Sequence, residues 1–162
     1  WRAMSNFDHP ITKSPGLKLL ICVFGCFAAL SIGGLFQPGE WYQDLNRAPW
    51  NPPNIVFPIV WTTLYIMIAL SGWIIAKSNQ TTLIILWWVQ LALNAAWSWL
   101  FFGEYWPGVA LLDIILILGI VGALIKMCRA QPDLKTAGNL LIPYFAWLCV
   151  ALSLNGYIWL YN

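Results

Sequence analysis

The sequence predicts an all-α integral membrane protein, a single bundle of five transmembrane helices with its N-terminus inside and its C-terminus outside. Of the 162 residues, 60% are hydrophobic and 9% are charged, whereas soluble domains carry about 25% charged residues. So few charges cannot cover the surface of an 18.3 kDa globule in water. Five apolar runs are each long enough to cross about 30 Å of hydrocarbon at about 1.5 Å per residue. Lipid is therefore the expected solvent.

A polar tail over residues 1–16 precedes the first run, and residues 1–3 read as a non-native extension ahead of Met4. The first run is about twice as long as the core of a signal peptide, so we interpret it as a membrane helix. We expect one domain over residues 17–162. Its apolar runs, which contain no charge except Lys18 and Asp113, are 17–36, 55–76, 81–103, 107–125 and 137–159. None shows the strict alternation of a barrel strand, so each is predicted to be a helix.

Most of the Lys and Arg residues fall in connections on one side of the membrane. This predicts the orientation, because loops rich in Lys and Arg are retained in the cytoplasm. Seven fall in the tail and in the second and fourth connections, namely Arg2, Lys13, Lys18, Lys77, Lys126, Arg129 and Lys135. The opposite side has only Arg47. This places the N-terminus inside and the C-terminus outside.

The connection between the first two helices, residues 37–54, is long and rich in Trp and Pro. Its spacing of Trp41, Leu45 and Ala48 favours a short amphipathic helix in the membrane interface. The prolines of residues 49–53 then restrict the chain to extended or turned conformations. We expect this segment to act as a lid on the outer side.

Small residues recur every four positions at Gly25, Ala29 and Gly33, and again at Gly119 and Ala123. This pattern lets helix backbones approach closely. The contact it predicts is either between helices of one chain or across a homodimer.

Twelve tryptophans are unusual in a chain of this length. An aromatic belt at the headgroup level explains seven of them, Trp41, Trp73, Trp87, Trp88, Trp99, Trp106 and Trp159. Counted along the helices, Trp61 and Trp97 lie about 9 Å below the outer surface, and Trp147 lies roughly 20 Å below it. These three are candidate ligand-binding residues.

Polar side chains fall on the same helix faces. On the third run Gln90 and Asn94 share a stripe with Trp87, Trp97 and Phe101. On the second run Tyr65 lies one turn after Trp61. On the fifth run the matching stripe is Tyr144, Trp147, Ala151 and Asn155. Amides in hydrocarbon must find partners. They either bind polar atoms of a ligand or join helices to one another.

Asp113 is the one acid inside a span. A carboxylate there costs about 2.5 to 3.5 kcal/mol on insertion scales, so it is expected to face the bundle and to accept indole, amide or hydroxyl hydrogen bonds. Its role is either structural or functional. A proton relay would need further ionisable groups at that depth, and the sequence offers none.

Other classes of site are disfavoured. His9 in the tail is the single histidine, and the four cysteines lie in or beside apolar runs without CxxC spacing, so we predict no metal site and no built-in cofactor. Nucleic-acid binding is excluded because the chain has no basic stripe. What remains is an outer-half cavity lined by aromatic faces and a few amides, suited to a large, flat, mostly apolar ligand.

The order of several motifs resembles the tryptophan-rich sensory protein family, also called the translocator protein or peripheral benzodiazepine receptor family. The matching segments are WYQDL at 41–45, PWNPP at 49–53, FPIVWTTLY at 57–65, QLALNAAWS at 90–98, FFG at 101–103, ALLD at 110–113, PYFAW at 143–147 and LNGYIW at 154–159. The resemblance covers about residues 17–161.

This resemblance implies a five-helix membrane protein, commonly a homodimer, that binds protoporphyrin IX, haem, sterols and benzodiazepine-site ligands. It places ligand contacts at Tyr42, Pro52, Trp61, Gln90, Asn94, Trp97, Trp147 and Ala151, to which the aromatic face of the second helix adds Tyr65. It also implies a bacterial cell membrane, or the mitochondrial outer membrane in a eukaryote. The sterol motif of animal members needs a cation after Tyr157, and none follows here.

Three functions follow as alternatives. The first is a receptor or carrier-like protein for tetrapyrroles and other flat ligands, with a role in tetrapyrrole or stress regulation. The second is an enzyme that degrades porphyrin with light and oxygen through Trp61 and Trp147, the pair that the resemblance implicates in this activity. The third, a sterol or lipid transporter, ranks lowest because no paired repeat or coupling-ion cluster is visible.

Overall fold

The computed structural model describes residues 14–162, which form α-helices and no β-strand. The helices are α1 (Pro15–Leu35), α2 (Glu40–Asp44), α3 (Val56–Lys77), α4 (Thr81–Ser98), α5 (Pro107–Arg129) and α6 (Lys135–Tyr161). All but α2 belong to segments long and apolar enough to cross a membrane, which confirms the predicted fold class. The predictions for residues 1–13, including the extension, His9 and two tail cations, lie outside the described residues.

The five long helices extend slightly beyond several of the apolar runs because polar and charged residues continue them into the interface. Pro15 and Pro107 each stand at the start of a helix, where the missing N–H leaves no hydrogen bond unmade. A 3₁₀ turn, Pro132–Leu134, leads into α6. The α4 helix continues through one π-helical turn, Trp99–Gly103, in which the Glu104 N–H donates to the Trp99 carbonyl at 2.9 Å.

The long helices close into a ring in the order α1, α3, α6, α5, α4, with α4 returning to α1. Short connections predict antiparallel neighbours along the chain, and this holds for α4 with α5 and for α5 with α6. The α4 helix, however, packs mainly against α1 and α5 rather than against α3, which precedes it. Side chains from α3, α4 and α6 can therefore meet across the interior.

Trp87 corrects the aromatic-belt prediction. Its side chain is 1% exposed, and its Nε1–H donates to the Ile68 carbonyl at 3.1 Å. The indole fills space beside Gly72, where a Cβ would overlap it. Trp87 belongs to the core because it shares the inward face of α4 with Gln90, and this periodicity outweighs the general preference of Trp for the headgroup level.

The small residues of α1 pack within the chain. A Cβ on Gly25 would lie 2.6 Å from Cζ3 of Trp88, and one on Gly33 would lie 3.3 Å from the Ser98 hydroxyl. Both neighbours are on α4, so this stripe lets α1 and α4 approach closely. Gly119 on α5 has no atom within 4 Å of such a Cβ. A homodimer stays a prediction.

Polar contacts join the ends of α1 and α3 at the more basic end of the bundle. The Lys18 ammonium donates to the Ala76 carbonyl and to Oδ1 of Asn79, both at 2.8 Å. Nearby, the Lys77 Nζ lies 3.8 Å from the centroid of the Trp73 ring. Arg47 lies in the connection at the other end of α3. Which end faces the cytoplasm stays a prediction.

Candidate ligand-binding site

The connection between α1 and α3 is partly folded, as predicted, but its helix is shorter than the spacing implies. Trp41 and Leu45 are half-buried and Ala48 is buried, so all three face the protein. Only Trp41 lies within α2, because the chain is already extended at Leu45, with ψ of 144°. We call residues 37–55 the lid segment.

Four contacts fasten the lid segment to the C-terminal end of α6. The Trp50 indole N–H donates to the Ser153 hydroxyl at 3.2 Å, and its ring meets the edge of Tyr157 with centroids 5.5 Å apart. The Asn46 N–H donates to Oδ1 of Asn162 at 2.8 Å, and the Asn162 amide donates back to the Asn46 carbonyl at 3.1 Å. The segment thus lies over the ends of the helices, as a lid would.

An aromatic cluster forms under the lid segment around Phe101. Its ring stacks on Trp97 with centroids 5.0 Å apart and makes edge contacts with Trp41, Tyr42 and Phe102. The π-helical turn that contains Phe101 adds a residue to the last turn of α4. This turn places Phe101 and Phe102 together beneath the lid segment.

Trp97 is held by a hydrogen bond as well as by stacking. Its Nε1–H donates to Oδ1 of Asn155 at 3.2 Å, and the Asn155 amide donates to the Pro107 carbonyl at 2.7 Å. The same contacts join α4, α5 and α6. The indole face that stacks on Phe101 is occupied by the protein itself.

Tyr65, Asn94 and Tyr144 form a buried chain of hydrogen bonds across the bundle. The Tyr65 hydroxyl donates to Oδ1 of Asn94 at 2.6 Å, and the Asn94 amide donates to the Tyr144 oxygen at 2.7 Å. The chain joins α3, α4 and α6. Asn94 thus joins helices, which is one of the two roles that the sequence leaves open for it; ligand contact stays a prediction.

Trp61 and Trp147 form an aromatic wall with Phe57, Tyr65 and Tyr144, on α3 and α6. Trp61 lies 5.7 Å from Tyr65 and 6.4 Å from Tyr144, and Trp147 lies 5.8 Å from Phe57, all between ring centroids. Both tryptophans are half-buried, so part of each ring is accessible.

Ala151 lies one helical turn after Trp147 on the same face of α6 and is also half-buried. Its methyl group adds little bulk to this part of the α6 face.

Gln90 and Asp113 are buried, yet each has polar atoms without a hydrogen-bond partner. In Gln90 these are both atoms of the amide, and in Asp113 the Oδ2 atom. Asp113 thus faces the bundle as predicted, but the hydrogen bonds expected for it are not found at Oδ2. By helical rise, Gln90 lies about 10 Å inward of Trp97 and Asp113 about 9 Å inward of Pro107, on helices that pack together.

Within the lid segment an open cavity of about 400 Å³ is lined by Arg47, Ala48, Asn51, Pro52, Pro53 and Asn54. The Arg47 guanidinium lies over the Tyr42 ring, with Cζ 5.5 Å from the centroid. Burial raises the pKa of the Tyr42 hydroxyl, and Arg47 offsets part of this effect. Tyr42 is therefore a neutral hydroxyl near pH 7.

The predicted site residues thus fall into separate regions. Trp61, Tyr65, Trp147 and Ala151 lie along α3 and α6, Tyr42 and Trp97 lie in the aromatic cluster, and Pro52 lines the lid cavity. Sequence reasoning placed Tyr144 and Asn155 on the right face but did not select them as site residues. It used Arg47 only for orientation, so the cavity beside that residue was missed. Among residues 14–162, no group of three His, Cys, Asp or Glu side chains is arranged to hold a metal ion.

Comparison with known proteins gives a consistent result. The model of the TspO/MBR family matches residues 20–160. The chain is 36% identical over 151 residues to the tryptophan-rich protein TspO of Chlorobaculum tepidum, covering 86% of this chain and 92% of that protein. It is 34% identical over 142 residues to protein CrtK of Rhodobacter capsulatus, covering 85% and 88%. With the human translocator protein it shares 34% over 145 residues, covering 83% and 82%.

Proposed function

We propose that this chain, which belongs to the TspO/MBR family of multi-pass membrane proteins, is a receptor or carrier-like protein for tetrapyrroles such as protoporphyrin IX and haem. Other flat hydrophobic molecules belong to the same ligand class. The binding would serve tetrapyrrole or stress regulation. The relatives are named as sensory and translocator proteins, names that agree with such a role.

The aromatic wall of Trp61 and Trp147 is the observation that supports this proposal most directly. Both indoles are partly accessible, and each also packs against another aromatic ring, Trp61 against Tyr144 and Trp147 against Phe57. Each ring that stacks on a flat ligand contributes about 0.5 to 1.5 kcal/mol beyond the burial of area. Held rings also lose little conformational freedom on binding. A planar aromatic ligand against α3 and α6 uses both effects.

Titration of the purified protein with protoporphyrin IX in the dark tests the proposal, with tryptophan fluorescence as the readout. We expect saturable quenching, and about tenfold weaker binding when Trp61 and Trp147 are both changed to Leu. Trp106→Leu is the matched control because Trp106 is exposed at the start of α5. Absence of saturable quenching in the unmodified protein contradicts the proposal and redirects the search to sterols or lipids.

Porphyrin degradation is the alternative that the same samples test under light. In this alternative the indoles of Trp61 and Trp147 pass an electron to the bound porphyrin under light, and molecular oxygen is the oxidant that cleaves the macrocycle. Bleaching that depends on the protein, and that Trp147→Phe abolishes while binding persists, would establish this activity. Stable porphyrin absorbance under light would contradict degradation and support the receptor or carrier function.

A further inference from the structure

The cavity within the lid segment, called the lid cavity, is lined by one positively charged side chain, Arg47. The receptor proposal does not use this residue. Arg47 is the only Lys or Arg between Lys18 and Lys77 in the sequence. Its guanidinium is positioned by the Tyr42 ring rather than by an acid. Among the described residues, no carboxylate oxygen lies within 4.0 Å of its nitrogens. The guanidinium of a cavity-lining arginine that lies over an aromatic ring and has no acid beside it is available to an anion.

Amide groups complete the lining beside this cation. Asn51 and Asn54, whose side chains carry amides, line the same cavity as Arg47. One N–H of Asn51 is used within the lid segment, donating to the Pro52 carbonyl at 3.1 Å. Amide N–H groups and a guanidinium both donate hydrogen bonds to carboxylate or phosphate oxygens.

The cavity is formed before any ligand arrives. The backbone N–H of Asn51 donates to the Ala48 carbonyl at 2.9 Å, and the backbone N–H of Val56 donates to the Pro53 carbonyl at 2.9 Å. Prolines fix the backbone between these turns, and Trp50 fastens the segment to α6. A preformed site binds with a smaller loss of conformational entropy.

Tyr42 joins this polar cavity to the aromatic cluster. The Arg47 guanidinium lies over the Tyr42 ring. The centroid of that ring is also 5.4 Å from the centroid of Phe102 and 6.2 Å from that of Phe101. The cavity lies at the ends of membrane helices, where a charged group meets water while an apolar body stays in the bilayer. An amphiphile with an anionic end fits this arrangement.

We propose that Arg47, Asn51 and Asn54 form an anion subsite in the lid segment that binds a carboxylate or phosphate at the membrane surface. Two sources carry this chemistry, the carboxylates of a flat ligand and the headgroup of an anionic lipid. The first source rests on the proposed receptor function, whereas the second does not.

The ligand source is tested with protoporphyrin IX, which has two carboxylates, and its dimethyl ester, which has none. Both are titrated into the protein in phosphatidylcholine nanodiscs. We expect Arg47→Gln to lower the ratio of ester Kd to acid Kd about tenfold relative to the unmodified protein. Arg47→Lys is expected to keep most of that ratio, because a point charge remains. Lys77→Gln, the same loss of charge at the opposite end of α3, is the matched control and is expected to leave the ratio unchanged.

The lipid source is tested with spin-labelled phosphatidylglycerol and phosphatidylcholine, by comparing the fractions immobilised on the protein. Preference for phosphatidylglycerol that is lost in Arg47→Gln, but kept in Lys77→Gln, assigns the subsite to a headgroup. If the Arg47→Gln variant keeps both the acid preference and the lipid preference, or if the unmodified protein shows neither, the anion subsite is overturned. If neither porphyrin binds but the lipid preference depends on Arg47, the receptor proposal fails while the subsite stands.

Discussion

Two buried amides on one face of α4 differ in their hydrogen bonding. Asn94 uses both its oxygen and its nitrogen, with Tyr65 and Tyr144 as partners. Gln90, one turn away, uses neither. A lone polar group in hydrocarbon costs free energy that a partner would recover. Asn94 therefore contributes to stability, whereas Gln90 retains unused hydrogen-bonding capacity for a water molecule or a ligand atom.

Replacing Asn94 by Leu is expected to destabilise the protein by about 1 to 2 kcal/mol, since two buried hydroxyls lose their partner. Tyr65→Phe removes one hydrogen bond and is expected to cost about 0.6 kcal/mol. Unfolding by denaturing detergent, followed by circular dichroism, measures both changes. A neutral Asn94→Leu variant would show that the chain of hydrogen bonds adds nothing to stability.

Gly72 is required by the position of Trp87. A Cβ at residue 72 would overlap the indole, which is also hydrogen-bonded to α3. Gly72→Ala is therefore expected to cost about 1 to 3 kcal/mol, the usual range for overpacking. Gly119→Ala on α5 is the control because that position has open space around it. The thermal unfolding midpoints of the two variants are compared in detergent. Equal midpoints for Gly72→Ala and Gly119→Ala would contradict the packing argument.

At the scale of elements, the lid segment depends on α6 for its position. The two polar contacts at Asn46 and Asn162, and the pair formed by Trp50 with Ser153 and Tyr157, lie near the end of the last helix. Opening the lid must break them. Access to the aromatic cluster is thus linked to contacts far away in sequence.

Ser153→Ala is expected to make the lid segment open more often, because the Trp50 indole loses its acceptor. Trypsin reports this opening, since Arg47 is the single trypsin site in residues 37–55. We expect about three- to tenfold faster cleavage after Arg47, corresponding to one hydrogen bond.

Ser31→Ala is the matched control for this experiment. The Ser31 hydroxyl donates to the Phe27 carbonyl of its own helix at 2.8 Å, and within residues 14–162 it makes no hydrogen bond to the lid segment. Identical cleavage rates for both serine variants and the unmodified protein would show that the Trp50 contact does not hold the lid.

At the scale of the whole molecule, closure of the five long helices into a ring brings their polar faces together. Tyr65, Asn94 and Tyr144 meet because α3, α4 and α6 surround one interior. The outer surface is left apolar, as lipid requires. Apart from Asp113, the charged side chains of residues 14–162 lie toward the two ends of the bundle, and most of the basic ones share the end where Lys18 contacts the α3 to α4 turn.

The charge distribution predicts that the C-terminus and the lid segment lie outside and the α3 to α4 turn lies inside. Alkaline phosphatase fused after Asn162 in a bacterial host is expected to be active. The same enzyme fused after Ser78 is expected to be inactive, because it folds only outside the cytoplasm. The reverse pattern would contradict the orientation.

The sequence alone determined the solvent, the number of long helices and the inward faces of α4, α5 and α6. Those properties follow from local composition and from the 3.6-residue period, so the inward positions of Gln90, Asn94, Asp113 and Asn155 were all predictable. The resemblance likewise identified the family before any contact was known.

Tertiary structure alone decided which neighbour each inward group meets. Periodicity states that Asn94 and Gln90 face the interior, but the order and register of the helices determine that the former finds two hydroxyls and the latter none. For the same reason only the tertiary structure shows that Arg47, Asn51 and Asn54 line one cavity. Hydrogen bonds and packing are short-ranged, so they depend on distances between segments that are remote in the sequence.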